Sequence, residues 1–277
     1  MPLSINTNIA SMTAQRAFLN SNASLETAFE RLATGKRVNS AVDDAAGLAI
    51  GKDLESRVSG LNQAIRNVND GISMVQIAEG AYDEVTTIIQ RMRDLAVQAA
   101  NDSVGSTERG YLDAEQENLA TALNSAINQA KFGDVDLVDA DGQTFTIHSG
   151  ANASETISLV ASNTNVDSDS ALGIAAGTID LTSQSTANTA IGLFDTAMQT
   201  VASHRAVLGA TQAQLESTVR NLSNVAENTA AAAGRIMDTD YAAETANLTK
   251  AQILQQAATS ILAQANAQPQ SVLALLQ

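Results

Sequence analysis

The residues best suited to chemistry are few. Asp43 and Asp44 stand together in Val38-Asn39-Ser40-Ala41-Val42-Asp43-Asp44, beside hydroxyl and amide groups, a grouping that suggests a metal site or a catalytic carboxylate pair. The spacing favours a structural role. Ser40 followed three residues later by Asp43 fits a variant of the capping box, which places both aspartates in the first turn of a helix, where the helix dipole favours negative charge. Asp139-Ala140-Asp141-Gly142 resembles part of a calcium loop, but the first ligand position holds Leu137 and the twelfth holds His148. Neither supplies the carboxylate such a loop requires, so a hairpin turn is expected there. His148 and His204 lie in different segments without a metal-binding spacing, and there is no cysteine. No G-x-S-x-G, P-loop or dinucleotide-binding glycine pattern occurs. No catalytic residue, metal ligand or cofactor is assigned, and the chain reads as a non-enzyme. Gln90-Arg91-Met92-Arg93-Asp94-Leu95 puts two arginines on one helix flank, by default a solvated face.

The elements that carry these residues follow from composition. Aromatics are 3% of 277 residues and tryptophan is absent, so the core must be made of Ala, Leu, Ile and Val, which suits narrow helix seams better than a thick interior. The net charge of −15 excludes a phosphate-binding surface and hence nucleic acid as a partner. No apolar run approaches the ~18 residues of a membrane span, and MPLSINTNIASMTAQR has neither the basic nor the apolar region of a signal peptide. Residues 1 to 33 sum to zero charge, as do residues 241 to 277, so the acidic excess lies between. Glycine is confined to the stretch from Gly35 to Gly234, and the only prolines are Pro2 and Pro269.

Two apolar seams cross the middle. The first runs Leu54, Val58, Leu61, Ile65, Val68, Ile72 and Val75, then Ala78, Tyr82, Val85, Ile89, Met92, Ala96 and Ala99, in steps of four and three broken once, between Val75 and Ala78. At about 1.5 Å per residue it makes a rod of about 69 Å, longer than the roughly 50 Å diameter of a compact chain of this size, so an elongated protein is expected. The second runs Ile191, Phe194, Met198, Val201, Arg205, Leu208, Gln212, Leu215, Val219, Leu222 and Ala226 unbroken. Arg205 and Gln212, polar at seam positions, are read as register-fixing residues. Residues 106 to 130 predict a shorter helix with Leu112, Leu119, Leu123 and Ile127 inward. From Phe132 to about Ser183 the pattern alternates and is rich in turn residues, which predicts one or two β-hairpins using Val135, Leu137, Phe145, Ile147, Ile157 and Leu159.

The ends are amphipathic helices. The first carries Ile5, Ile9, Met12 and Leu19 beside Phe18, Leu25, Phe29 and Leu32; the last carries Leu248, Leu254, Ala258, Ile261, Ala265, Val272 and Leu276, with Pro269 expected to bend it or end its regular part. The chain closes on Ser-Val-Leu-Ala-Leu-Leu-Gln, and leaving Val272, Leu273, Leu275 and Leu276 in water forgoes about 6–12 kcal/mol of burial. Something must cover them, and the two near-neutral ends read as helices made for each other or for identical neighbours.

Four separated motifs, INTNIASMTAQRAF, LATGKRVNSAVDDAAGLAI, QRMRDLAVQAAND and ILAQANAQPQSVLALLQ, stand in the order and at the ends where they stand in bacterial flagellin, and over about four-fifths of its length the chain resembles that family. The resemblance implies a mainly α fold, an elongated hairpin-shaped coiled-coil or helical bundle with a small β-hairpin region inserted between the bundle halves. It assigns 1–40 and 235–277 to paired helices of an inner, channel-lining core, 41–131 and 185–234 to the outer bundle, and 132–184 to the hairpin region. It implies a subunit that polymerises into the extracellular flagellar filament through Ile5, Ile9, Met12, Leu19, Leu254, Ile261, Val272, Leu273, Leu275 and Leu276, with the cap, the hook-junction proteins and an export chaperone as further partners. Some flagellins are recognised by an animal Toll-like receptor, and the matching positions here are Gln90, Arg91, Leu95 and Glu115. Where the family usually has Asn after the phenylalanine that opens the hairpin region, this chain has Gly133. The competing readings are a hook-filament junction protein, which shares the terminal helices, and a monomeric secreted adhesin or binding module, which suits a long bundle.

Overall fold

The structure is a computed structural model that describes residues 7–138, 144–160, 174 and 177–274. It is mainly α, as expected: α1 (Ile9–Thr34), α2 (Ala45–Ala99), α3 (Ser106–Gln129), then strands β1 (Lys131–Phe132), β2 (Val135–Asp136), β3 (Thr144–His148) and β4 (Thr156–Val160), then α4 (Gln184–Met237) and α5 (Tyr241–Ala274). The chain divides into two compact units, one of Met1–Val58 with Glu227–Gln277 and one of Ser59–Ala226.

The central unit is built on the two seams. Val68, Val75, Tyr82, Val85, Ile89, Met92, Ala96 and Ala99 of α2 are buried, as are Phe194, Val201, Leu208, Leu215 and Leu222 of α4, so both periodic patterns lie in the core where their spacing puts them. The Arg93 guanidinium meets Asp195 at 2.6 Å, and Arg205 meets Glu79 at 2.7 Å and Asp83 at 3.3 Å. Rising numbers on α2 thus pair with falling numbers on α4, and the helices run antiparallel. Arg205 fixes register as expected, whereas Gln212 bonds along its own helix, to Glu216, and ties nothing across. Arg93 is a correction to the solvated-face reading, since it joins two helices.

On α3, Ala120, Leu123 and Ile127 are buried and Leu112 and Leu119 pack against the core. Asp113 accepts a hydrogen bond from the Leu181 amide at 2.8 Å, tying α3 to the segment that leads into α4. Two antiparallel hairpins occur, β1 with β2 and β3 with β4, the latter pairing Phe145 with Leu159 and Ile147 with Ile157. Gly133 turns the first at φ +62°, the left-handed region that glycine and asparagine adopt most readily. Gly71, inside α2, lies under the tip of Ile147, and this bare helix surface lets the second hairpin approach. The turn at Asp139-Ala140-Asp141-Gly142 lies outside the described residues.

The terminal unit joins α1 to α5 and closes their two connectors against each other. Asn8 caps α1, accepting from the Ser11 amide, and Gly35 ends it at φ +71° with its N–H on the Arg31 carbonyl. Asp240 caps α5 through the amides of Ala242 and Ala243. Between them Lys36 and Asp238 form an isolated antiparallel bridge, with Arg37 N–H donating to Met237 and Thr239 N–H donating to Gly35. Helix α5 continues through Pro269 to Ala274, so that proline does not end the helix. The bonds of the preceding turn are lost to one residue only, and a helix can bend to absorb that.

The carboxylates Asp43 and Asp44 also differ from expectation. The first turn of α2 holds no acidic residue. Asp44 itself is the cap, its Oδ1 accepting from the Gly47 amide at 2.8 Å, while Asp43 closes the preceding turn. Its Oδ2 accepts from the Asn39 amide at 3.2 Å, the Ser40 amide at 2.9 Å and the Ser40 hydroxyl at 3.0 Å. Ser40 is the donor here, not the acceptor a capping box needs. The hydrogen bonds from Ser40 hold the Asp43 carboxyl below the usual carboxylate range.

Candidate functional site

The antiparallel pair of α1 and α5 carries the feature that most needs a function. Its seam is made of small residues at intervals of seven: Ala14, Ser21 and Ala28 on α1, and Ala251, Ala258 and Ala265 on α5, following Glu244. A seven-residue repeat keeps one stripe of each helix facing its partner, and small side chains let the backbones come close. Ser21 Oγ donates to the Ala251 carbonyl at 3.0 Å, Asn8 Nδ2 to the Ala265 carbonyl at 2.8 Å, and Ser11 Oγ to Asn266 Oδ1 at 2.7 Å. Arg31 stands 3.9 Å from the buried Glu244 carboxylate.

Phe18, Leu25, Leu32, Leu248 and Leu262 are half-buried on this pair, while the other large apolar side chains among its described residues face solvent. Ile9 is 65% exposed, Met12 56%, Leu19 61%, Leu254 49% and Ile261 56%. Phe29 and Ile253 are exposed as well. A groove of about 1130 Å³ runs along the pair, lined by Ile9, Ala14, Ala17, Leu254, Ala258 and Ile261 together with polar residues such as Thr13, Asn20, Asn247 and Lys250. Scattered surface apolar groups need no explanation, but Ile9, Leu254 and Ile261 share one groove on this helix pair, and large apolar residues gathered along a groove mark an interaction surface. Of the expected interface residues, Ile9, Met12, Leu19, Leu254 and Ile261 are thus on one pair of helices and accessible. Val272 and Leu273 fall within the α5 backbone, and Ile5, Leu275 and Leu276 lie outside the described residues.

By sequence Ala258 and Ala265 fall in the same stripe as Leu254 and Ile261. The structure separates them, alanines inward and large residues outward. The sevenfold spacing of Ala14, Ser21 and Ala28 was the available signal, masked by the more conspicuous Ile and Leu positions.

A second candidate surface is only partly assembled. Gln90 is exposed and donates to Asp94, and exposed Arg91 bonds Glu115 across α2 and α3, its Nε 3.2 Å from Oε1. Leu95 is a correction: at 1% exposure it lies in the core, because its position on α2 falls on the buried side next to Met92 and Ala96. A partner touching this flank meets Gln90, Arg91 and Glu115 and not Leu95.

Among the described residues no group of His, Asp or Glu is arranged to hold a metal ion, and no helix is long and apolar enough to cross a membrane.

Comparison with known proteins bears on the same surfaces. The pattern of the bacterial flagellin N-terminal helical region matches residues 5–142, and that of the bacterial flagellin C-terminal helical region matches residues 191–276. The chain is 42% identical over 274 residues to a flagellin of Halalkalibacterium halodurans, covering 99% of each sequence. Among solved structures it is similar to Bacillus cereus flagellin, with a TM-score of 0.50 and 30% identity over 61% of this chain and 94% of that one. A flagellar hook-associated protein from Vibrio parahaemolyticus has a TM-score of 0.59 at 15% identity, covering 71% of this chain and all of that one, a likeness of fold alone.

Proposed function

The chain belongs to the bacterial flagellin family, and we propose that α1 and α5 form the surface by which its copies polymerise into the flagellar filament. The observation that carries this is the inversion on the helix pair, with small residues spent on the intramolecular seam and Ile9, Met12, Leu19, Leu254 and Ile261 left in water. Such side chains gain burial only when another molecule covers them, and in a homopolymer that molecule is a second copy. The mechanism is association driven by apolar burial, with the seam hydrogen bonds holding the paired helices in the arrangement that presents the large side chains.

In this reading residues 1–40 and 235–277 make the inner layer of the filament, the long seams of α2 and α4 make the outer bundle, and the protein is a structural one that acts outside the cell. The same exposed helices suit an export chaperone before assembly and the cap and hook-junction proteins at the filament's ends. Gln90, Arg91 and Glu115 form the flank on which a Toll-like receptor would be recognised. The hook-associated neighbour supports no separate function, because its likeness stops at the fold.

Truncation of residues 268–277 tests the proposal. Seeded polymerisation followed by sedimentation and electron microscopy should show parent filaments and none from the truncated chain, whose central unit still melts cooperatively. Normal filaments from the truncated chain would overturn it.

A further inference from the structure

The middle of the central unit holds a titratable group for which assembly has no use. Tyr82 of α2 is buried at 1% exposure, and the half-buried His204 imidazole of α4 lies against it, the ring centroids 6.0 Å apart and the planes tilted by 33°. The residues that follow each of them in the chain are charged. Arg205 Nε donates to Glu79 Oε1 at 2.9 Å, its Nη2 lies 2.7 Å from the same oxygen, and its Nη1 lies 3.3 Å from Asp83 Oδ1. Two carboxylates thus share one guanidinium, and the cluster keeps one negative charge uncompensated. Glu79 takes both short contacts, while Asp83 is held by the longer one with 74% of its side chain in water. The cluster falls one turn beyond the offset of the α2 seam between Val75 and Ala78, where consecutive steps of three overwind a paired helix.

This arrangement gives the imidazole two places. Neutral, it packs on the Tyr82 ring, where burial holds its pKa below the ordinary histidine value. Protonated, it has to be hydrated or paired, because a charge left in a half-buried site is costly. Asp83 is the carboxylate placed to take it, since it adjoins Tyr82 in the chain and already meets Arg205, which adjoins His204. Between about pH 4.3 and about pH 6.5 ordinary carboxylates stay ionised while an imidazole gains its proton, so in that window His204 changes charge and its acidic neighbours do not.

We propose that His204 is a pH-sensitive latch between α2 and α4: the neutral ring closes the seam at Tyr82, and the protonated ring leaves it for Asp83, so that mild acid loosens the two helices at this point. The proton comes from solvent and no covalent bond changes. The charged groups at this point of the seam are Glu79 and Asp83 on α2 and Arg205 on α4, and Arg205 remains on Glu79 in both states. The latch works within one chain and does not depend on how copies meet.

Amide exchange of the full-length monomer, corrected for the intrinsic effect of pH, tests this. From about pH 7.5 to about pH 5, amides of residues 78–86 should lose at least about threefold in protection relative to the rest of α2. The chain has two histidines, so two variants separate them: His148→Gln should keep the change and His204→Gln should abolish it. Protection that does not fall in the parent, as when an imidazolium stays on the Tyr82 ring by cation–π attraction, would overturn the proposal, and so would a fall that persists in His204→Gln. Proton NMR of the His204 ring gives a second readout. Asp83→Asn, at an exposed position, should move its titration midpoint at least about half a pH unit lower, because the charged ring loses its partner. An unchanged midpoint would refute Asp83 as the acceptor and the latch with it.

Discussion

Ile261 offers a direct measure of how much the outward face of α5 contributes to assembly. Its side chain is 56% exposed in the single chain. Fully burying an isoleucine stabilises by about 1.5–3 kcal/mol, so the part still in water represents about 0.8–1.7 kcal/mol to be gained when a neighbour covers it. Ile261→Ser forfeits that gain, and at about 1.4 kcal/mol per factor of ten the critical concentration should rise about four- to sixteen-fold. The desolvated hydroxyl pushes the effect toward the upper value. Ile261→Val, which loses one methylene from a side chain half of which is already covered, should shift it only about twofold. The assay is sedimentation of seeded filaments across a concentration series, with the unpolymerised concentration read from the supernatant. A serine variant that polymerises at the parent's concentration would show that Ile261 stays in water in the filament. Burial on α5 would then have to be sought on another face.

Other predictions concern the central unit, the electrostatics and the helices themselves. Gly71→Val should destabilise by about 1–3 kcal/mol because its side chain meets Ile147, whereas Gly80→Ala, on the same helix with open space around it, should stabilise by about 0.5–1 kcal/mol; chemical denaturation separates the two signs. Gln116 is fully buried on α3 with neither amide atom hydrogen-bonded, so Gln116→Met, apolar and of similar length, should raise stability by about 1–3 kcal/mol, and an unchanged or lower melting temperature would mean the amide is satisfied in solution. Burial beside Tyr82 pushes the His204 imidazole below its ordinary value, so the folded state resists its protonation. Stability from this source is complete above the unfolded pKa of about 6.5 and is lost as pH falls through the lower folded value; His204→Gln should flatten that part of a melting-temperature profile. Assembly should strengthen with salt over the range in which the Debye length shrinks below about 10 Å, since each copy brings a central unit of net −13; a salt-independent critical concentration would count against repulsion as the opposing force.

Most of the fold was legible because helix seams announce themselves by period. From Leu61 onward every large apolar member of the α2 and α4 seams is buried or packs on the core, and the hairpin residues Ile147, Ile157 and Leu159 followed from alternation. What the sequence hid was the use of side chains whose type allows two roles. Leu95 and Arg93 lie two residues apart on a helix, yet one is core and the other bridges to Asp195, because α3 and α4 pack on adjoining sides of α2. A pattern of four and three identifies one stripe, not how wide a bundle of three helices makes it. Asp43 and Asp44 were legible as marking the start of α2 but not as to role, because Ser40-to-Asp43 spacing serves a capping box or a turn equally well, and here Asp44 caps while Asp43 closes the turn.

The ends show the limit most clearly, and for a reason that belongs to the function. In a protein that folds alone, large apolar residues go inward and the stripe they form tells which face is buried. On α1 and α5 that rule reverses: Ala14, Ala28, Ala251 and Ala258 are covered, and Ile9, Leu19, Leu254 and Ile261 are not. Burial in the single chain is therefore the wrong reference state for these helices. Close contact of small residues fixes how α1 and α5 sit together, at little cost in apolar area, and saves the larger transfer free energy for association. Had the large residues formed the intramolecular seam, the pair would be more stable alone and would have less to gain from a neighbour. A sequence whose hydrophobic stripe and small-residue heptad fall on different faces of the same helix thus contains two interfaces, one for its own chain and one for the next.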